Sequence, residues 1–96
     1  MVSAEVMLRN PLGLHLRPAG LFCTEALKYT SSIQVQYEDT IVNGKSVLGV
    51  LSAGLRYNSS FTIICEGPDE KEALFSLKQL VEQGIGEDID KQLLES

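Results

Sequence analysis

The 96-residue chain holds a single histidine, two cysteines and three prolines, and its 8 basic residues are outnumbered by 13 acidic ones. A formal charge of −5 and a pI near 4.7 argue against nucleic-acid binding, because counterion release needs Lys and Arg clustered against phosphates. The basic residues are instead scattered along the chain. Cys23 and Cys65 lack C-x-x-C spacing and fall in a predicted helix and a predicted strand, so they read as buried thiols, not as a metal or redox pair. No apolar run approaches membrane-spanning length, and Met1-Val2-Ser3-Ala4-Glu5 offers neither a basic n-region nor an apolar h-region. The expectation is a soluble, cytoplasmic protein that is not embedded in a membrane. One histidine with no neighbouring carboxylate pair, metal-ligand cluster or substrate-sized motif supplies no turnover machinery, so no metal, no cofactor and no enzymatic activity of its own are expected.

What the chain does have is enough apolar content, 44%, for one modest core, and therefore one domain. Val6 and Leu8 share a face of a first strand, against Glu5, Met7 and Arg9 on the other. Ala19, Phe22, Cys23, Ala26 and Tyr29 recur at helical spacing and form the core face of a first helix. Ile33, Val35 and Tyr37 alternate with Gln34, Gln36 and Glu38 in a second strand, which turns near Glu38-Asp39-Thr40 into a short third strand at Ile41-Val42. Ser46 is an N-cap candidate for a helix from Val47 to about Ala53, with Gly54 as its stop. Phe61, Ile63 and Cys65 alternate with Thr62, Ile64 and Glu66 in a fourth strand. Asp69 reads as the N-cap of a last helix with acidic residues Glu70 and Glu72 in its first turn. Its buried stripe is Ala73, Leu74, Leu77, Leu80 and Val81, and Gly84-Ile85-Gly86 closes it. The order β-α-β-β-α-β-α predicts an α+β fold, with helices over one face of an antiparallel sheet. Residues 1–86 make up the domain, and residues 87–96 read as a short acidic tail.

The residue with most to say is His15, in Gly13-Leu14-His15-Leu16-Arg17-Pro18-Ala19. Proline suits the first helical position, so Pro18 predicts a helix start there, a run to about Tyr29, and His15 just ahead of the helix N-terminus. Such an end presents backbone N–H groups without partners and roughly half a positive charge, which welcomes an anion. An imidazole, whose ordinary pKa is about 6.5, is a nucleophile near neutral pH. A phosphoryl group on His15 would meet both the helix end and the guanidinium of Arg17. A lone histidine is more often a surface or satisfied residue; Arg17 and Pro18 beside it reverse that reading.

Gly13 to Ala19 resembles the active-site signature of HPr, the histidine-containing phosphocarrier of the bacterial phosphoenolpyruvate-dependent sugar phosphotransferase system. Val42-Asn43-Gly44-Lys45-Ser46-Val47-Leu48-Gly49-Val50-Leu51 resembles that family's second signature, and the element order fits along roughly residues 3 to 86. The resemblance implies an open-faced two-layer sandwich, with a four-stranded antiparallel sheet in the order 1-4-2-3 covered on one face by three helices. It implies that Enzyme I phosphorylates His15, that His15 passes the group to sugar-specific phosphotransferase components, and that Arg17 is the charge partner. Leu16 and Pro18 would support the phosphate through the helix start. Leu16, Gly20, Thr24, Leu27, Val47, Leu48, Gly49 and Leu51 would meet partners, although part of this stripe, Leu51 above all, could equally pack between the two helices. Ser46 in front of a helix is ordinarily only a cap. Its surroundings resemble the stretch phosphorylated by HPr kinase/phosphorylase, which adds a regulatory phosphoserine. Leu16 departs from the pattern, since alanine or threonine usually follows the histidine, and this puts partner choice in question. A transiently docking monomer is the expected form. The alternatives are a regulatory HPr-like phosphoprotein of a truncated or nitrogen-related chain, or an interaction module in which His15 is incidental.

Overall fold

The structure, a computed structural model, describes residues 1–85; the acidic segment 87–96 and Gly86 lie outside the described residues. Seven elements follow in the expected order: β1 (Val2–Met7), α1 (Leu16–Ala26), β2 (Ser32–Tyr37), β3 (Thr40–Asn43), α2 (Val47–Ser52), β4 (Ser60–Glu66) and α3 (Glu70–Glu82). The strands form one antiparallel sheet in the order β1-β4-β2-β3, the open-faced α+β sandwich that the resemblance implies.

Register puts the apolar alternation to use. Val6 faces Phe61, and Ala4, Ile63, Val35 and Val42 align across all four strands, with Cys65 between Val2 and Ile33. These positions share one face, on which Val6, Phe61, Ile63, Cys65, Ile33 and Val35 are buried. The helices lie over that face. α1 brings Pro18, Ala19, Phe22, Cys23 and Ala26, and α3 brings Ala73, Leu77 and Val81. Full burial of a side chain such as Phe22 or Leu77 contributes about 1.5–3 kcal/mol. Between β2 and β3 the chain reverses through Glu38 and Asp39, and Glu38 takes φ 54° at the first turn position, the twist a two-residue hairpin demands.

Three local expectations are corrected. α1 starts at Leu16 with His15 as its N-cap, so Pro18 is the third helical residue and not the first. The reason is that the first intrahelical bond runs from the Ala19 N–H to the His15 carbonyl at 3.0 Å; no earlier position in the turn has such a bond to lose, and proline fits any of them. α1 also ends at Ala26, short of Tyr29, because the chain tightens into bonds from Lys28 N–H to Glu25 and from Tyr29 N–H to Ala26. Asp69 stands at the N-cap of α3, but its side chain does not cap the helix. Its carboxylate accepts from the Thr30 and Ser31 N–H groups at 3.0 and 2.9 Å and from the Ser31 hydroxyl, tying α3 to the loop between α1 and β2.

Two fully buried residues were not legible from periodicity. Ile85 folds back under α3: its N–H bonds the Leu80 carbonyl at 2.9 Å and the Gly84 N–H bonds Val81 at 3.1 Å, a closing pair that Gly84 permits at φ 87°. Asn10, just after β1, donates its side-chain amide to the Gly84 carbonyl at 2.8 Å and so pins that end of α3 to the approach of the His15 loop.

Candidate functional site

His15 leaves the strand-to-helix loop in an extended conformation (φ −86°, ψ −171°) and caps α1 in position, with a half-buried side chain. The N–H groups of Leu16 and Arg17 lie in the first turn, where helix geometry provides no intrahelical acceptor, and Pro18 has no N–H at all. These donors and the helix dipole share one end with the imidazole. Pro18 is buried and anchors the turn from below, while Arg17 is exposed and forms no ion pair with any described residue. Of the positions expected to support a phosphate, Leu16 and Pro18 therefore lie in the same turn as Arg17.

The loop is held from the far side. The Leu14 N–H donates to the Leu55 carbonyl at 3.1 Å. At φ 76° Gly13 passes so close to this neighbour that an added Cβ would sit 2.9 Å from the Leu55 oxygen and 3.3 Å from the Arg56 Cα, so only glycine fits. Leu14 and Leu55 are both buried beneath the contact.

Ser46 is the N-cap of α2, and its hydroxyl accepts from the Gly49 N–H at 3.0 Å. The segment before it is fixed by bonds from Gly44 N–H to the Ile33 carbonyl, from Lys45 N–H to Asn43 Oδ1, and from the Lys45 ammonium to the Tyr29 carbonyl at 2.7 Å. That last bond joins the Ser46 segment to the turn after α1 and uses one of the three Lys45 donors.

Among the positions expected to meet partners, Leu48, Leu16 and Leu27 are 80%, 67% and 64% exposed. Thr24 is exposed too, with its hydroxyl turned back onto the Gly20 carbonyl at 2.8 Å. Gly20 and Gly49 are half-buried, and Val47 and Leu51 pack in part against the core, as the alternative reading of Leu51 allowed. The structure brings α1 and α2 side by side, so both signatures border one face.

One signal went unread in the sequence. Residues 8–24 and 40–65 contain no Asp or Glu, in a chain with 13 acidic residues. The two signatures and the loop beneath them come from those segments, which carry Arg9, Arg17, Lys45 and Arg56 and no carboxylate. Cys23 and Cys65 are buried, and burial pushes both thiols up from their ordinary range, which leaves them protonated and inert. No group of His, Cys, Asp and Glu among the described residues could hold a metal ion. No helix among them is long and apolar enough to cross a membrane.

Comparison with known proteins agrees with this arrangement. The family model described as the PTS HPr component phosphorylation site matches residues 2–83. The chain is 39% identical to the HPr-like protein Crh of Halalkalibacterium halodurans, over 86% of this chain and 99% of that protein. It is 36% identical to the phosphocarrier protein HPr of Lysinibacillus sphaericus, over 91% of this chain and all of the relative. The crystal structure of an HPr from Thermoanaerobacter tengcongensis superposes with a TM-score of 0.88 at 38% identity, covering 92% and 99% of the two chains. Crh of Bacillus subtilis, solved as a domain-swapped dimer, aligns at TM-score 0.72 and 36% identity over 91% of this chain and all of that one. The chain belongs to the HPr family of phosphocarrier proteins, whose members carry phosphoryl groups and are not enzymes themselves.

Proposed function

We propose that the protein accepts a phosphoryl group from phosphorylated Enzyme I on His15 and passes it to sugar-specific components of the phosphotransferase system in the cytoplasm. The observation that carries this reading is the position of His15 as N-cap of α1, with the first-turn N–H groups beside it and Arg17, which has no ion pair among the described residues, in the same turn. In the transfer an imidazole nitrogen uses its lone pair to form a bond to phosphorus, while the bond from phosphorus to the donor breaks and its electron pair stays with the donor. Such a step asks the carrier for alignment and charge compensation more than for covalent help. Arg17 supplies charge, Leu16 and Arg17 supply backbone donors, and Pro18 fixes the turn. The return step needs the same contacts to let go, and a half-exposed site beside an exposed guanidinium shields the group without burying it.

Ser46 serves as a regulatory site for HPr kinase/phosphorylase in this reading. A phosphate there adds nearly two negative charges beside exposed Leu48, in a stretch, residues 40–65, that contains no carboxylate. The helix end tolerates the charge, and an acidic partner surface does not. Leu16, Gly20, Thr24, Leu27, Val47, Leu48, Gly49 and Leu51 form the docking face, and the protein meets its partners as a monomer. The similarity to Crh favours a second reading, in which the chain is a regulator that is phosphorylated but does not move sugar.

The test is a chase. The chain is labelled with phosphoenolpyruvate, magnesium and Enzyme I of the same organism, then offered a sugar-specific acceptor. Transfer of the label supports the carrier; label that stays on the chain with an active acceptor favours the regulator.

A further inference from the structure

We infer that Arg56, whose backbone packs beside Gly13, is a second charge partner for a phosphoryl group on His15; this rests on the phosphohistidine reading above. The chain has three arginines. Arg17 lies two residues after His15, in the first turn of α1. Arg9 lines a depression beside β1 with Glu5 and Glu82, two carboxylates that compete for its charge. Arg56 is far from His15 in sequence and close in space, because its Cα would stand 3.3 Å from a Cβ on Gly13, two residues before the histidine. Two residues of chain span at most about 7 Å, a gap that the side chains of an arginine and a phosphorylated histidine cover between them.

The placement is built and not incidental. The Arg56 N–H donates to the Ser59 hydroxyl at 3.0 Å, and the Ser59 N–H returns a bond to the Arg56 carbonyl at 2.9 Å. The same turn is stitched to the end of β1 by bonds from Leu8 N–H to the Ser59 carbonyl and from Asn58 N–H to the Leu8 carbonyl, at 2.8 and 2.9 Å. With the Leu14 to Leu55 bond, the Arg56 backbone is held in fixed register beside the His15 loop. Its side chain is exposed and has no ion pair with a described residue, so the guanidinium is available. Lys45 is held away from His15, bonded to the Tyr29 carbonyl past the C-terminal end of α1. A planar guanidinium suits the task better than an ammonium, since it presents two parallel N–H groups to phosphate oxygens.

The experiment separates action on the phosphoryl group from action on a protein partner. His15 is phosphorylated with phosphoramidate, a small donor without a docking surface, and in parallel with Enzyme I and phosphoenolpyruvate, in the wild type, Arg56→Gln and Arg56→Lys. The expected result is labelling by phosphoramidate about fivefold slower in Arg56→Gln, largely restored in Arg56→Lys, with unchanged urea midpoints. Wild-type rates with phosphoramidate in Arg56→Gln overturn the proposal, and a loss seen only with Enzyme I overturns it too by making Arg56 a docking residue. A wild-type chain that takes no label on His15 from either donor overturns the phosphocarrier reading and this proposal together.

Discussion

Two residues show how little of a side chain's role lies in its type. Asp69 has the identity and position of a helix cap, yet its carboxylate serves the Thr30–Ser31 loop, and the Ser31 hydroxyl with those two N–H groups holds its pKa down at about 2, below the ordinary 3.8. Since the folded state binds that proton more weakly than the unfolded chain, the interaction stabilises the fold fully above about pH 5. It drains away as the pH falls through about 2. Urea midpoints followed from pH 6 to pH 2 should therefore fall less steeply in Asp69→Asn, which starts from a lower midpoint; identical acid slopes would contradict this. Some slope will remain, because Glu25, bonded by Lys28 and Ser76, is also depressed. Gly20 gives the opposite case. A Cβ there meets nothing within 4 Å, so Gly20→Ala relieves the cost of glycine inside a helix and should raise stability by roughly 0.5–1 kcal/mol in urea unfolding. A loss of stability would mean that the α1 surface at Gly20 is not open.

At the scale of elements, strands and helices were legible because their periods are strong: Ile33/Val35 and Phe61/Ile63/Cys65 alternate, and Ala19/Phe22/Cys23/Ala26 step by three and four. Ends were less legible. Proline is harmless at any of the first three helical positions, so Pro18 marks the first turn of α1 without saying which residue caps it; the cap is His15 itself. Ile85 could not be placed, since its burial depends on the reversal that Gly84 allows after α3. Arg56 was unreadable because its importance comes from a loop-to-loop contact with Gly13, remote in sequence. The strand order came from family resemblance, and the pairing of β1 with β4 is a long-range choice that alternation alone does not determine. α1 and α2 together present exposed Leu16 and Leu48, which have few neighbours to lose. Leu16→Ala and Leu48→Ala should each change stability by no more than about 0.5 kcal/mol while raising the KM for Enzyme I several-fold. Wild-type KM values would remove these positions from the docking face.

The whole molecule divides its charge. An acidic chain keeps Asp and Glu out of residues 8–24 and 40–65, the segments that carry His15, Ser46 and the exposed Leu16 and Leu48. Its partner surfaces should therefore be acidic with an apolar centre, and transfer from Enzyme I should slow as salt rises toward 0.5 M, because exposed charges are screened within about a Debye length. Salt-independent transfer would leave the apolar contacts to account for docking alone. Docking and charge matter only if the one histidine carries the phosphoryl group. The direct measurement is mass-spectrometric mapping of acid-labile phosphate after incubation with Enzyme I, magnesium and phosphoenolpyruvate, beside His15→Ala. Phosphate on His15 in the wild type and none in His15→Ala is the expected result. An unlabelled wild type with an active Enzyme I of the same organism, or label that persists in His15→Ala, would contradict it.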